Sequence, residues 1–256
     1  MSTCAEHGSR WRRQVRVALV VAKKDVLIYY LKPPVIVFGI VLPVFLFLAF
    51  AVGRSVPIGQ MVPGMVAMAL FFTASAVGPL VTPWERQFKT YERLVTSPAS
   101  TEALLGGDVL AGMAFGVVLS AMPLLLGVGA TAANIAAFGP VACGVVLGAL
   151  TFASLGVLLA SPATDAPSQI LMLSNLTRLP LLFISGVFVP IPQMPVLTRC
   201  LAPLSPLSYC VDLIRVGFGE PHYFPLWVDA AALLGFAFAF LTAARYWHLR
   251  SRQRGR

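Results

Sequence analysis

Residues 109–164 contain no charged side chain. A membrane-spanning helix needs about 20 mostly apolar residues, because the hydrocarbon layer is about 30 Å thick and each helical residue rises about 1.5 Å. The stretch is therefore too long for one such helix, and GVGATAANIAAFGP at residues 127–140 predicts a turn that divides it. A second uncharged stretch separates Arg54 from Glu85. Soluble domains carry about 25% charged residues and this chain carries 11%, so the sequence predicts an integral membrane protein.

The apolar stretches predict six transmembrane helices in an all-α, polytopic membrane domain that covers residues 34–244. The fifth helix is the hardest to place, because the uncharged piece after Arg178 is too short to cross a bilayer alone. Pro190 forbids a regular helix beyond that piece, so this helix is drawn with Arg178 near its middle. The predicted spans are residues 34–52, 60–82, 104–128, 141–160, 167–189 and 224–244.

The distribution of basic residues predicts how the chain is oriented in the membrane. Lys and Arg accumulate in the cytoplasmic loops of membrane proteins. Fifteen of the 19 basic residues lie before the first span, between the second and third spans, or after the sixth. Both termini and the loop at residues 83–103 are therefore expected in the cytoplasm. The loop at residues 190–223 is expected outside, and residues 245–256 form a basic cytoplasmic tail.

The N-terminal segment, residues 1–33, is expected to hold a cytoplasmic amphipathic helix. Between residues 11 and 31, apolar side chains such as Trp11 and Val15 recur on one face, and basic side chains such as Lys23 gather on another. A basic amphipathic helix beside a membrane usually lies in the interface between lipid and water. Two roles stay open for it: a passive anchor, or a sleeve that transmits motion from a cytoplasmic partner.

The loop between the second and third spans carries WERQFKTYERLVTSPAS at residues 84–100. Glu85 and Glu92 lie seven residues apart, which places them on one face if the segment is helical. Arg86 and Arg93 repeat beside them. Periodicity alone leaves two interpretations open, a solvated turn with ordinary charges or a docking surface for a partner.

Three short motifs in this order resemble a known family. WERQFKTYERLVTSPAS follows the second span, SGVFVPIPQMP at residues 185–195 follows the fifth, and LSPLSYCVDLIR occupies residues 204–215. Together with six spans and an interfacial helix, they resemble the ABC-2 type transporter permeases. These are membrane subunits of ATP-driven exporters such as the daunorubicin-resistance and nodulation-factor systems. Lys89 and Ser205 stand where the family usually has Gly and Asn.

The resemblance implies a permease subunit of an ATP-binding cassette exporter, driven by a separate ATPase that would dock on Glu85, Arg86, Glu92 and Arg93. The sequence contains no G-x-x-x-x-G-K-[ST] phosphate-binding loop. The chain is therefore expected not to be an enzyme and to have no catalytic, cofactor or metal site, while the partner binds ATP and Mg²⁺. The resemblance also implies a second permease copy, as a homodimer or related heterodimer, in the plasma membrane of a prokaryote.

Between the fifth and sixth spans the resemblance implies short re-entrant helices that cap the path on the outer side. Pro206, Tyr209, Asp212 and Arg215 fall in this segment and are expected to form an outer gate. Asp212 and Arg215 are three residues apart, so a local helix-stabilising pair is the alternative.

Arg178 leaves two interpretations open. A charge in mid-membrane costs about 2.5–3.5 kcal/mol and usually faces a cavity or a partner, so Arg178 would line the translocation path or meet an acid such as Asp165. Alternatively, the helix begins later and Arg178 reaches back to the cytoplasmic interface. Elsewhere, G-x-x-x-G pairs at residues 112–116 and 144–148 predict close helix packing.

Mostly apolar spans favour a hydrophobic or amphipathic cargo, such as a drug, an antibiotic, a lipid or a lipid-linked glycan, so multidrug export is one expected activity. The alternative function is an ATP-independent channel or one half of a secondary transporter. Such proteins tend to place several ionisable groups near the middle of the membrane, where the predicted spans place Arg178 alone. The cysteines show no C-x-x-C spacing, and a disulfide between Cys200 and Cys210 is left open.

Overall fold

A computed structural model describes residues 2–29, 37, 41, 45, 58–87, 101–131, 135–162 and 166–254. Within these ranges every regular element is helical, which confirms the all-α prediction. The α-helices are α1 Ser2–Tyr29, α2 Val62–Gln87, α3 Thr101–Thr131, α4 Phe138–Ala160, α5 Pro167–Ile184, α6 Val196–Leu201, α7 Pro206–Gly217 and α8 Leu226–Arg254. Short 3-10 helices lie at Ile58–Met61, Ile191–Gln193 and Ala202–Leu204.

Four of the described helices are long and apolar enough to cross a membrane, judged by length and composition. The four segments are Val62–Pro83, Glu102–Gly129, Phe138–Ala160 and Leu226–His248. They match the predicted second, third, fourth and sixth spans. The predicted first span, residues 34–52, lies outside the described residues except for three isolated positions. Helix α5, which carries Asn175 and Arg178, is not among the four, so the count of six stays a prediction.

Helix α5 begins where the sequence predicts, at Pro167, but ends at Ile184 rather than at residue 189. The reason is local, because Gly186 has a φ of +82°, a left-handed conformation that ends a right-handed helix. Two short helices, α6 and α7, follow before α8 starts at Leu226. Short helices are thus present in the predicted outer loop, while their depth in a membrane stays a prediction.

Helix α2 forms the centre of the bundle. Its apolar segment is 94% buried, whereas the corresponding segment of α8 at the periphery is 17% buried. Phe71 of α2 meets Phe152 of α4 edge to face, with ring centroids 5.0 Å apart, which is a favourable geometry for aromatic pairs. Helices α3, α4, α5 and α7 all pack against α2. A change in the position of α2 therefore alters its packing contacts with four other helices.

Glycines let α2 and α4 touch backbone to backbone. A methyl group added to Gly78 of α2 would lie 2.5 Å from the carbonyl oxygen of Gly156 in α4, and one added to Gly156 would lie 2.6 Å from the carbonyl oxygen of Ser75. Close backbone approach through small residues is a common mode of helix packing in membranes. The predicted G-x-x-x-G pairs also pack closely, since Gly112 abuts α2 and α4 while Gly144 abuts α7.

Replacing Gly156 by alanine should destabilise the protein, because the new methyl group would overlap the backbone of α2. Overpacking of this kind costs about 1–3 kcal/mol. The matched control is Gly106→Ala in α3, where a methyl group would meet nothing within 4 Å and better helix propensity stabilises by up to about 1 kcal/mol. Thermal unfolding of the detergent-solubilised variants measures both effects. Equal melting temperatures for the two variants would contradict the proposed backbone contact.

Candidate functional site

The helix ends sort into two groups at opposite ends of the bundle. At the first, named the cap end, the start of α2 meets the end of α3, because a methyl group on Gly127 would touch Val62. The second, named the loop end, holds the start of α3 and the end of α8, joined by an ion pair of 3.0 Å between Glu102 and Arg245. Helices α2 and α3 therefore run in opposite directions, as successive membrane spans must.

Of the four residues predicted to couple an ATPase, the structure describes only the backbone of Glu85 and Arg86, towards the loop end. The backbone of α2 continues as helix through Glu85 and Arg86. Their side chains, and all of Glu92 and Arg93, lie outside the described residues. Coupling through these four residues stays a prediction.

The four residues predicted for an outer gate lie together on α7 at the cap end. Eleven of the 12 residues of α7 are buried, so this short helix is enclosed by its neighbours. Pro206 lies at the start of α7, where its fixed φ suits a helix start. The ring of Tyr209 packs against Phe224 with centroids 4.9 Å apart, and its hydroxyl donates to the carbonyl oxygen of Pro203 at 3.0 Å.

Asp212 ties α7 to the start of α8. Its carboxylate accepts hydrogen bonds from the backbone N–H groups of Tyr223, at 3.0 and 2.8 Å, and of Phe224, at 2.7 Å. Bonds of this kind to an ionised acceptor are roughly twice as strong as neutral ones. Asp212 therefore fixes the connection between α7 and α8, a role that the expected local pair with Arg215 did not anticipate.

Arg215 ties α7 to the turn after α5. Its Nη2 donates to the carbonyl oxygen of Gly186 at 2.8 Å, and its Nε lies 3.9 Å from Oε2 of Glu220. The motifs at residues 185–195 and 204–215 thus meet in one hydrogen bond. Sequence reasoning missed Gly186 and Glu220 as partners, because neither lies at helical spacing from Arg215.

Ser205 connects the motif at residues 204–215 to α5 itself. The hydroxyl of Ser205 donates to the carbonyl oxygen of Leu181 at 2.9 Å. In a regular helix the carbonyl oxygen of Leu181 would accept from the backbone N–H of Ser185. That N–H bonds to the carbonyl oxygen of Leu182 instead, so the carbonyl of Leu181 is left open at the helix end. The residue that departs from the family pattern therefore completes the last turn of α5.

The ion pair between Arg215 and Glu220 lies in a partly buried place. Burial raises the pKa of Glu220 to about 7, and the nearby Arg215 opposes this shift without cancelling it. At neutral pH this carboxyl is therefore poised between its two protonation states.

Arg178 is buried against α2, with 3% of its surface exposed. Helix α5 begins at Pro167, so Arg178 lies about three turns inside it, and the interpretation in which the helix begins later is wrong. The Nη2 atom of Arg178 donates to the carbonyl oxygen of Ser75 in α2. Asp165, its suggested partner, lies outside the described residues, and a role for Arg178 in the translocation path stays a prediction.

The carbonyl of Ser75 can accept this bond because of Pro79. In an α-helix each carbonyl bonds to the N–H four residues later, and Pro79, which lies inside α2, has no N–H. Gly156 leaves space on the α4 side, where a side chain would collide with the same oxygen. Arg178 thus satisfies a backbone group that the sequence of α2 leaves open.

The disulfide left open by the sequence is not formed. Cys200 and Cys210 are both free thiols, the first exposed and the second buried. The sulfur of Cys210 instead contacts the carbonyl oxygen of Gly144 at 3.4 Å and so holds α7 against α4.

The family model described as ABC-2 type transporter matches residues 16–218. This range includes residues 84–100, named the charged loop, and residues 185–217, named the cap. The chain belongs to the ABC-2 type transporter family. It is 26% identical over 194 residues to the inner membrane transport permease YadH of Escherichia coli K12, covering 76% of this chain and 75% of the relative. It is also 35% identical over 78 residues to nodulation protein J of Rhizobium leguminosarum bv. trifolii, covering 30% of this chain and 29% of the relative.

The family membership confirms the resemblance that the three motifs predicted. As a member of the ABC-2 family with four helices suited to cross a bilayer, the chain is a membrane-embedded transport permease. Membership in this family also implies an ATPase partner.

Replacing Glu220 by glutamine should remove a pH dependence of stability. Burial raises the pKa of Glu220 from 4.5 to about 7, so the folded protein holds this proton more tightly than the unfolded chain does. The resulting stabilisation is complete below a pH of about 4.5 and is lost as the pH rises through about 7. Between these limits the melting temperature of the wild type should fall more steeply with rising pH than that of E220Q.

The control for this measurement is Glu102→Gln, because Glu102 is 59% exposed and lies at the opposite end of the bundle. This variant should keep the wild-type slope. A wild-type slope in E220Q as well would show that another group carries the pH dependence.

Proposed function

We propose that this chain is the permease subunit of an ATP-binding cassette exporter and that a separate ATPase subunit supplies the energy. The observation that carries the proposal is the family match over residues 16–218, which includes both the charged loop and the buried cap. The relative YadH is named an inner membrane transport permease, which agrees with this role. The printed sequence contains no phosphate-binding loop, so ATP and Mg²⁺ are assigned to the partner.

The proposed architecture has six spans with both termini in the cytoplasm. Helices α2, α3, α4 and α8 supply four spans, and residues 34–52 supply the first. Helix α5 has 18 residues, a rise of about 27 Å that nearly matches the hydrocarbon layer, and it supplies the fifth. Basic residues concentrate in the segments assigned to the loop end, which supports a cytoplasmic loop end and an outer cap end.

Helix α1 is proposed to lie in the cytoplasmic interface and to follow the movement of α3. A methyl group on Gly107 of α3 would lie 2.7 Å from Val21 and 3.0 Å from the carbonyl oxygen of Ala18, so the two helices are in close contact. Leu19 and Leu27 of α1 are exposed, as suits a helix that also touches lipid. Contact with a span favours the sleeve over the passive anchor.

The charged loop is proposed to receive the ATPase. Glu85, Arg86, Glu92 and Arg93 alternate in sign, and alternating charges give a partner a defined register and orientation. The helix that precedes the loop is α2, which carries the first two of these residues in its last turn. A push on the loop would therefore act directly on the central helix of the bundle.

The cap is proposed to act as the outer gate, with Pro206, Tyr209, Asp212 and Arg215 as its residues. In the closed arrangement α7 is held by the bond from Arg215 to Gly186 and by the bonds from Tyr223 and Phe224 to Asp212. A rigid-body movement of α7 would break these bonds together.

The cargo is proposed to be hydrophobic or amphipathic, as a drug, an antibiotic, a lipid or a lipid-linked glycan would be. Apolar side chains of α5 at helical spacing, including Met172, Leu176 and Phe183, are exposed in the single chain. Either an amphipathic cargo or a second permease copy suits this face, and an exporter with two permease copies would use both.

The charge reversal Glu92→Lys tests the proposal. It should reduce ATP-driven transport by about tenfold, within the usual range of coupling free energies between sites, because the loop would no longer fit its partner. The permease should still insert in the membrane. The measurement is uptake of a fluorescent amphiphile into inverted vesicles that contain the permease and its co-purified ATPase, together with the rate of ATP hydrolysis.

The matched control is Glu102→Lys, which reverses an exposed acid in the first turn of α3, beyond the charged segment at residues 84–100. Transport by this variant should stay near the wild-type rate. Transport without any ATPase present would instead support the alternative, an ATP-independent channel or half of a secondary transporter.

A further inference from the structure

Two arginine-to-carbonyl hydrogen bonds connect α5 to its neighbours at different depths of the bundle. In the middle of α5, Arg178 donates to the carbonyl oxygen of Ser75 in α2. At the cap end, Arg215 of α7 donates at 2.8 Å to the carbonyl oxygen of Gly186, two residues beyond the last residue of α5. Helix α5 is thereby joined by one bond to the central helix and by another to the cap.

The first bond attaches α5 to the helix that leads into the charged loop. Ser75 is joined to the last residue of α2, Gln87, by about three turns of helix. On its other side the carbonyl of Ser75 is pressed against Gly156 of α4. A displacement of α2 along or across its axis therefore carries this carbonyl with it, and Arg178 is the side chain that would transfer the displacement to α5.

We propose that Arg178 is a positioning residue that makes α5 follow the movements of α2, so that movement at the charged loop reaches the cap through Arg178, α5, Gly186 and Arg215. This inference rests on the proposed function. It differs from a role in the translocation path, because Arg178 acts here on a backbone carbonyl and need not touch cargo.

Stability alone does not account for an arginine at this position. Its Nε has no hydrogen-bond partner among the described residues, and neither does the hydroxyl of Ser174, one turn earlier on the same helix. A buried charge with incomplete hydrogen bonding is costly, which offsets part of the stability that Arg178 gains by satisfying the carbonyl of Ser75. Direct attachment of one helix to another is what a long, charged donor provides and an apolar side chain does not.

The second bond passes the movement to the gate. Gly186 has a left-handed φ of +82° that other residues rarely adopt, and the turn it forms presents the carbonyl oxygen to which Arg215 donates. Arg215 donates a hydrogen bond to this turn. Asp212, one helical turn earlier on α7, accepts a hydrogen bond from the segment that leads to α8. A shift of α5 would therefore displace α7 through Arg215, one of the residues assigned to the outer gate.

The test uses the complex of the permease and its co-purified ATPase in nanodiscs. The native thiol of Cys200, exposed on α6 in the cap segment, is labelled with a charged maleimide in a Cys4→Ser background. In the wild-type sequence the labelling rate should change when ATP is added. In Arg178→Met that change should fall by about tenfold, the size of a typical coupling between sites, while ATP hydrolysis continues.

The double variant Pro79→Ala with Arg178→Met separates a positioning role from simple satisfaction of a carbonyl. Alanine supplies the N–H that Pro79 lacks, so the carbonyl of Ser75 regains its partner within α2. The double variant should therefore unfold at a higher temperature than Arg178→Met alone, but its ATP-dependent change in labelling should stay lost. The control Arg250→Met removes an exposed arginine that bonds to Tyr246 within α8 at the loop end, and it should keep the wild-type response.

Each other outcome overturns the inference. A full ATP response in Arg178→Met, or recovery of that response in the double variant, would show that Arg178 transmits nothing and leave the proposed function intact. Absence of an ATP response in the wild-type complex would overturn the proposed function and this inference with it.

Discussion

The carbonyl group of Ser75 holds the middle of this bundle together. An unpaired backbone carbonyl in apolar surroundings is costly, and Pro79 removes the partner that the helix would otherwise supply. The structure meets this need from outside α2, with Arg178 of α5 as the donor. On the other side Gly156 of α4 presents no side chain, so that backbone approaches backbone. Three helices therefore meet at one oxygen atom.

The same physical rule shapes the cap. Helix α5 ends early, and the carbonyls of Leu181 and Gly186 are left without partners in the helix itself. Ser205 and Arg215, from a motif some twenty or more residues later, donate to them. Asp212 does the converse and accepts from backbone N–H groups between α7 and α8. At these places a side chain from another segment bonds to the open backbone group, and each such bond connects two segments.

These hydrogen bonds also divide the protein into parts that can move as units. Side-chain bonds to single carbonyls are localised, whereas aromatic contacts such as Phe71 with Phe152 and the close contact of Gly78 with Gly156 are extensive. Helices α2 and α4 are therefore expected to move as one body, while α5 and α7 are connected to neighbouring segments by identifiable bonds. A transporter that must open and close needs both kinds of contact.

The sequence by itself determined the class of protein and much of its outline. Mostly apolar stretches of spanning length predicted α2, α3, α4 and α8, because length and apolarity indicate a membrane span without reference to neighbouring helices. The three motifs identified the family and grouped Pro206, Tyr209, Asp212 and Arg215, which lie together because one short helix carries them all.

The tertiary structure alone decided which partners the charged residues take. Helical spacing suggested that Asp212 would pair with Arg215, yet each makes its hydrogen bonds with backbone groups of other segments. Arg178 donates to a backbone carbonyl 103 positions away. Every residue has a backbone carbonyl, so no pattern of side chains in the sequence indicates this partner. Sequence patterns report side chains and their local spacing, whereas the bonds that fix these helices run to backbone atoms whose availability depends on the assembled bundle.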